Sequence, residues 1–221
     1  MKLFPDRIYH VYNRGNQKQR IFFTRDNYLF FLQKARNYWQ PYCDILCYCL
    51  MPNHFHFLIK TSERTVELFR NNEPSTHIKY SNFSRGTQQI LSHYTRAINK
   101  QEGLTGSLFT QNTKAKQVSS EWRWEDYTLW CFRYILQNPV NAGLVRHPAE
   151  WEFSAYRDFV GMRNGTLCNM EMARLEMSFE LDHPREWNSC RAFPSPSHTL
   201  NSQHDPIQVC GQIYFALYKS P

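Results

Sequence analysis

The 221-residue chain lacks any uninterrupted apolar run of about 18 residues, so no membrane-spanning helix is expected. Its opening residues, Met1-Lys-Leu-Phe-Pro-Asp6, turn polar before an apolar signal core can form, and no secretory leader is expected either. Acidic residues are the scarcer charge. The 19 Asp and Glu stand against 26 Lys and Arg, a balance that favours polyanions such as nucleic acid without demanding them. An even set of cysteines is also missing: there are seven, with Cys43, Cys47 and Cys49 crowded together. That fits reduced, buried thiols in a cytoplasmic protein better than a secreted disulfide framework. No internal repeat is visible.

What is present is apolar and aromatic mass, 42% and 16% of residues, enough for one sizeable domain with a tail or two small ones. The most informative run is Leu50-Met-Pro-Asn-His-Phe-His-Phe-Leu-Ile-Lys60. On a strand, residues two apart share a face, so His54 and His56 project side by side while Phe55, Phe57 and Ile59 form an apolar stripe behind them. Taken alone, such a pair is equally a half-exposed strand that happens to carry two histidines. Cys47 and Cys49 would share a face as well, but structural zinc sites usually draw their cysteine pairs from turns, with two to four residues between them.

Hydrophobic patterning places a strand at Ile8–Asn13, a helix from Asp26 to about Trp39 stopped by Pro41, strands at Ile45–Leu50 and His54–Lys60, and a polar, basic helix from about Thr76 to Lys100. An extended run over Ser107–Val118 follows, then a helix over Trp124–Val140 with Asn138-Pro139 at its end. The order strand, helix, strand, strand, helix, strand predicts an α+β, ferredoxin-like (split βαβ) fold, a four-stranded antiparallel sheet with two helices on one face. The other face is left for chemistry, with the histidines on it. Residues 1–160 are expected to form this domain. Residues 161–221, where the pattern weakens among prolines, are expected to form a loosely packed C-terminal extension of open role.

Tyr134 and Asn138 lie four residues apart in Cys131-Phe-Arg-Tyr-Ile-Leu-Gln-Asn-Pro139 and are neighbours on one helical face. If that helix crosses the open face of the sheet, a phenol and an amide oxygen arrive together beside His54 and His56. Tyr127, seven residues earlier, lies two turns up the same face and is a second candidate hydroxyl.

The motifs Tyr9-His-Val-Tyr-Asn-Arg-Gly15, Leu50-Met-Pro-Asn-His-Phe-His56, Gly106-Ser-Leu-Phe109, Tyr134-Ile-Leu-Gln-Asn-Pro-Val140 and Ala142-Gly-Leu-Val145 occur in this order. Together they resemble the HUH single-tyrosine transposases of the IS200-like type, particularly the REP-associated tyrosine transposase branch, over about Tyr9 to Phe159. The resemblance implies that His54, His56 and Asn138 bind a divalent metal and that Tyr134 attacks DNA, leaving a 5′-phosphotyrosine and a free 3′ hydroxyl. In insertion-sequence relatives the third ligand is often Gln. Asn138 is one methylene shorter, so the tyrosine helix must sit closer or a water must intervene.

The chemistry is coherent with these residue types. A phenol with a pKa of about 10 is a poor nucleophile at neutral pH without help. Two neutral imidazoles and an amide would leave the full charge of a divalent cation to polarise a phosphate, with Mg2+ or Mn2+ as the expected metal. Single-stranded or hairpin DNA is the expected partner, since a helix-borne tyrosine reaches one strand of an intact duplex poorly. Arg14, Lys114 and Lys116 are candidate phosphate contacts. A homodimer that exchanges halves of the site is compatible with the sequence. Two other readings stay open: a non-catalytic single-strand binding module on the open sheet face, and a zinc-dependent hydrolase with Glu63 as the nearest carboxylate base.

Overall fold

The computed structural model describes residues 1–68, 80–118 and 125–177. Four strands, β1 (Ile8–Arg14), β2 (Cys43–Met51), β3 (His54–Thr61) and β4 (Lys114–Gln117), form one antiparallel sheet in the order β2-β3-β1-β4. The helices are α1 (Arg25–Tyr38), α2 (Glu63–Val66), α3 (Asn82–Glu102), α4 (Glu125–Asn141), α5 (Tyr156–Phe159) and α6 (Met170–Met177). This is the split βαβ arrangement, α+β, read from the sequence.

One face of the sheet packs on α1 and α3. Phe55 meets Phe31 and Phe57 meets Trp39, each pair with ring centroids 4.9 Å apart. The Trp39 indole donates to Thr87 Oγ1 at 3.0 Å, tying the end of α1 to α3. The two helices approach so closely that a Cβ on Gly86 would stand 2.2 Å from the Tyr38 carbonyl oxygen, so glycine is required there. Truncating one of these buried rings to alanine would cost about 3–5 kcal/mol.

Local chemistry sets the helix ends. At α1, Asn27 Oδ1 accepts from the backbone N–H groups of Phe23 and Thr24 at 3.0 Å, and Thr24, not Asp26, is the N-cap. Among the described residues the second helix begins at Asn82. Ser81 caps it, accepting from Ser84 N–H at 3.3 Å, and residues 69–79 lie outside the described part. The extended run expected over Ser107–Val118 pairs as a strand only at Lys114–Gln117, with one isolated bridge from Gly15 to Phe109 before it.

α4 runs through Pro139, as the span read from the sequence has it, and continues one residue further to Asn141. Proline lacks the N–H that would bond the Ile135 carbonyl, yet its φ suits a helix. The stop comes from Ala142-Gly143-Leu144: Gly143 takes φ 68°, its N–H donates to Val140 O, and Leu144 N–H donates to Pro139 O, both at 2.9 Å. That is a Schellman cap, and it explains why glycine stands at 143.

The second face of the sheet is covered. α4 packs across β2 and β3, and α6 lies against β2 and α4. Lys60 of β3 pairs with Glu176 of α6 at 2.5 Å, and Leu167, Cys168, Ala173 and Met177 are buried. Residues 161–177 therefore join the same core, and the part beyond 177 lies outside the described residues. Arg163 clamps this return, donating to both Asp158 oxygens at 2.7 and 2.8 Å and to Tyr48 Oη at 2.9 Å. Cys43, Cys47, Cys49, Cys131 and Cys168 are all buried. Burial pushes the Cys47 and Cys49 thiols well above their usual range, so they are packing groups rather than thiolate ligands.

Candidate functional site

Antiparallel register builds the site. His54 and His56 alternate with Phe55 on β3, and β1 presents Arg14 opposite His54 and Tyr12 opposite His56. β4 continues that face, with Lys114 opposite Tyr12 and Lys116 opposite His10. On the other side, β2 sets Met51 opposite His54 and Cys49 opposite His56. All three basic residues singled out from the sequence thus share the histidine face. Lys114 is exposed, and Arg14 and Lys116 are half-buried.

The histidines do not look out to solvent. His54 is 2% exposed and His56 0%, because α4 lies over them. Its residues Tyr134 and Asn138, 5% and 0% exposed, face the sheet. The Tyr134 ring stands edge-on to His56, with centroids 5.8 Å apart and planes at 76°. One turn later, the Asn138 side chain hydrogen-bonds to His54. Asn138 Nδ2 also donates to the Tyr134 carbonyl at 3.0 Å. The shorter side chain at 138 is accommodated by a helix seated directly on the sheet. All of this happens within one chain.

Each imidazole is oriented by a neighbour. His54 Nδ1 lies 2.6 Å from Asn53 Oδ1, so Nδ1 carries the proton and Nε2 is the nitrogen left for Asn138 or a ligand. His56 Nδ1 lies 2.8 Å from Nε2 of His10 on β1. His56 Nε2 is buried with no hydrogen-bond partner. Burial, with the Arg14 guanidinium and His10 nearby, lowers His54 to a pKa of about 3 despite the opposing bond to Asn138. Burial, then His54 and His10, holds His56 well below its ordinary value. Both rings are therefore neutral at physiological pH, the form that binds a metal.

Among the described residues no group of three His, Cys, Asp or Glu side chains could hold a metal ion. The polar side chain in contact with the histidine pair is the Asn138 amide. The orphaned Nε2 of His56 and the Nε2 of His54 turned toward Asn138 fit a divalent cation. Glu63 is exposed at the start of α2, beyond the far end of β3, and is not part of this cluster.

Tyr127 lies elsewhere on the helix. Its ring is parallel to Trp130, with centroids 6.0 Å apart, and Trp130 stacks in turn on Tyr134 at 5.3 Å and 4°. Sequence reasoning overlooked Trp130 and His10. The signal for His10 was present: alternation from Arg14 through Tyr12 puts it on the histidine face, and the split βαβ order pairs β1 with β3.

No family model matches the chain, and no curated protein matches its sequence. Among solved structures it is similar to a REP-associated tyrosine transposase bound to a REP hairpin, with a TM-score of 0.50 and 15% identity over 73% of this chain and 83% of that one. The likeness is one of fold. Bacterial tRNA(His) guanylyltransferase (Thg1)-like proteins in complex with GTP and with ATP overlap at a TM-score of 0.37 and 12% identity, over 64% of this chain and 68% and 61% of theirs, too little to carry an argument.

Proposed function

We propose that this protein cleaves and rejoins single-stranded or hairpin DNA through a covalent 5′-phosphotyrosine on Tyr134, with His54, His56 and Asn138 holding a divalent metal, Mg2+ or Mn2+. The observation that carries the reading is the joint placement of Tyr134 against His56 and Asn138 against His54 from successive turns of α4. Three independent elements converge there, β1, β3 and α4. The fold shared with a transposase bound to a DNA hairpin supports the reading at the level of architecture.

The residues divide the work. His54 and His56, both neutral, would hold the cation by their Nε2 atoms, with the Asn138 amide oxygen as third ligand. A bound divalent ion would supply Lewis-acid polarisation of the phosphate. Tyr134 gives up its phenol proton as Oη attacks phosphorus, the new O–P bond forms as the P–O3′ bond breaks, and the departing 3′ oxygen takes up one proton and ends as a hydroxyl. Because the phosphodiester energy is kept in the phosphotyrosine, an incoming 3′ hydroxyl reverses the step without ATP. Arg14, Lys114 and Lys116 supply a basic track on the same sheet face for the strand's phosphates. The site needs no second copy of the chain, since tyrosine and histidines meet within one.

The binding-module alternative required an open sheet face, and α4 covers it over the histidines. The hydrolase alternative required a carboxylate base near them, and Glu63 is remote. The test is incubation with labelled hairpin and single-stranded oligonucleotides plus Mg2+ or Mn2+, followed by denaturing electrophoresis. A covalent protein–DNA adduct that needs the metal supports the reading; metal-independent binding without an adduct overturns it.

A further inference from the structure

His10 is buried, 1% exposed, on β1, and nothing so far explains why an imidazole occupies a core position. Its Nε2 lies 2.8 Å from His56 Nδ1, with the two rings stacked at 28° and centroids 5.0 Å apart. A nitrogen–nitrogen contact of this length is bridged by one proton, so one nitrogen donates and the other accepts. The choice fixes the far side of both rings, because the tautomer of a histidine is set by the bond its other nitrogen makes. The far nitrogens, His56 Nε2 and His10 Nδ1, are both buried with no hydrogen-bond partner.

Either direction leaves one buried N–H without an acceptor, on His56 Nε2 if His10 donates and on His10 Nδ1 if His56 donates. Only when His56 donates does its own Nε2 keep the lone pair that the metal site proposed above would use. We propose that His10 is a positioning residue that accepts the His56 Nδ1 proton and thereby holds His56 in the tautomer whose Nε2 lone pair faces the metal position. Asn53 does the same for His54 through Oδ1 at 2.6 Å, so each histidine is aimed by a separate acceptor. Outer partners of this kind raise ligand basicity and fix ring orientation, and losing one costs about 10–100-fold in metal affinity.

The consequence for metal affinity rests on the ligand assignment proposed above, but the tautomer is a property of the metal-free chain. Long-range 1H–15N spectra of the imidazoles in metal-free wild type should show His56 protonated at Nδ1. His10→Leu should shift it to the Nε2–H form or a mixture, and His10→Gln, whose side-chain oxygen can accept the same proton, should restore Nδ1–H. Titration with Mn2+ should show affinity lower by about 10–100-fold in His10→Leu and largely recovered in His10→Gln. An Nε2–H signal for His56 in wild type, or unchanged affinity in a folded His10→Leu protein, overturns the assignment. Should His10→Leu fail to fold, the wild-type spectrum and the Gln variant decide. If wild type shows the Nδ1–H tautomer but binds no Mn2+, the role of His10 stands and the metal reading falls.

Discussion

Asn138 bridges two parts of the site: its Nδ2 donates to the Tyr134 carbonyl at 3.0 Å, and the same side chain hydrogen-bonds to His54. A helix turn that carries the proposed nucleophile is thereby fastened to a strand that carries the proposed ligands. Replacing Asn138 with Ala removes both bonds and is expected to destabilise the fold by about 1–3 kcal/mol and to weaken Mn2+ binding by about 10–100-fold. Asn138→Asp should keep metal binding while adding a buried charge. Denaturant unfolding and calorimetric titration measure the two effects separately.

The buried histidines make the metal-free protein acid-sensitive. Both have folded pKa values below the ordinary 6.5, His54 at about 3 and His56 lower than usual by burial first. Below pH 6.5 the unfolded chain takes up protons that the folded chain refuses, so this stability is complete above that value and is lost as pH falls through it. Between pH 7.5 and 5.5 the two rings together should remove roughly 2–3 kcal/mol. Urea midpoints at the two pH values measure it, and a His54→Phe, His56→Phe double variant should show a flatter dependence.

Trp130 lies parallel to the Tyr134 ring, with centroids 5.3 Å apart. Trp130→Ala should cost about 2 kcal/mol and slow adduct formation by about 10–100-fold, since small misplacements of a reacting group are expensive. Trp130→Phe should retain most of both. Tyr127 stacks on Trp130 at the far end of this row from Tyr134, and Tyr127→Phe should leave adduct formation intact.

Lys114 and Lys116 extend from β4 on the histidine face. Replacing both with Ala should weaken oligonucleotide binding about equally for different sequences and lower the slope of log affinity against log salt by roughly 1.5–2. Binding isotherms at several salt concentrations provide the slope.

The fold could be read from period and order: Phe55 and Phe57 alternating with His54 and His56 gave the inward stripe, and the element order gave the sheet. Tyr134 and Asn138 were legible together because four residues span one helical turn. What escaped had a three-dimensional cause. Burial of His54 and His56 depends on α4 lying over them, which no strand pattern reports, although the near-continuous apolar run of β2, Cys43–Met51, is what two covered faces produce. His10 escaped because its meaning depends on a diagonal contact between strands 46 residues apart in sequence.

The central claim is that Tyr134 is the atom donor to phosphorus. Peptide mapping by mass spectrometry of protein incubated with a hairpin oligonucleotide and Mn2+ tests it most directly. The nucleotide mass should sit on the peptide containing Tyr134 and vanish in Tyr134→Phe, with His54→Ala and metal chelation each abolishing it. An adduct on Tyr127, or one that persists in Tyr134→Phe, would contradict the account.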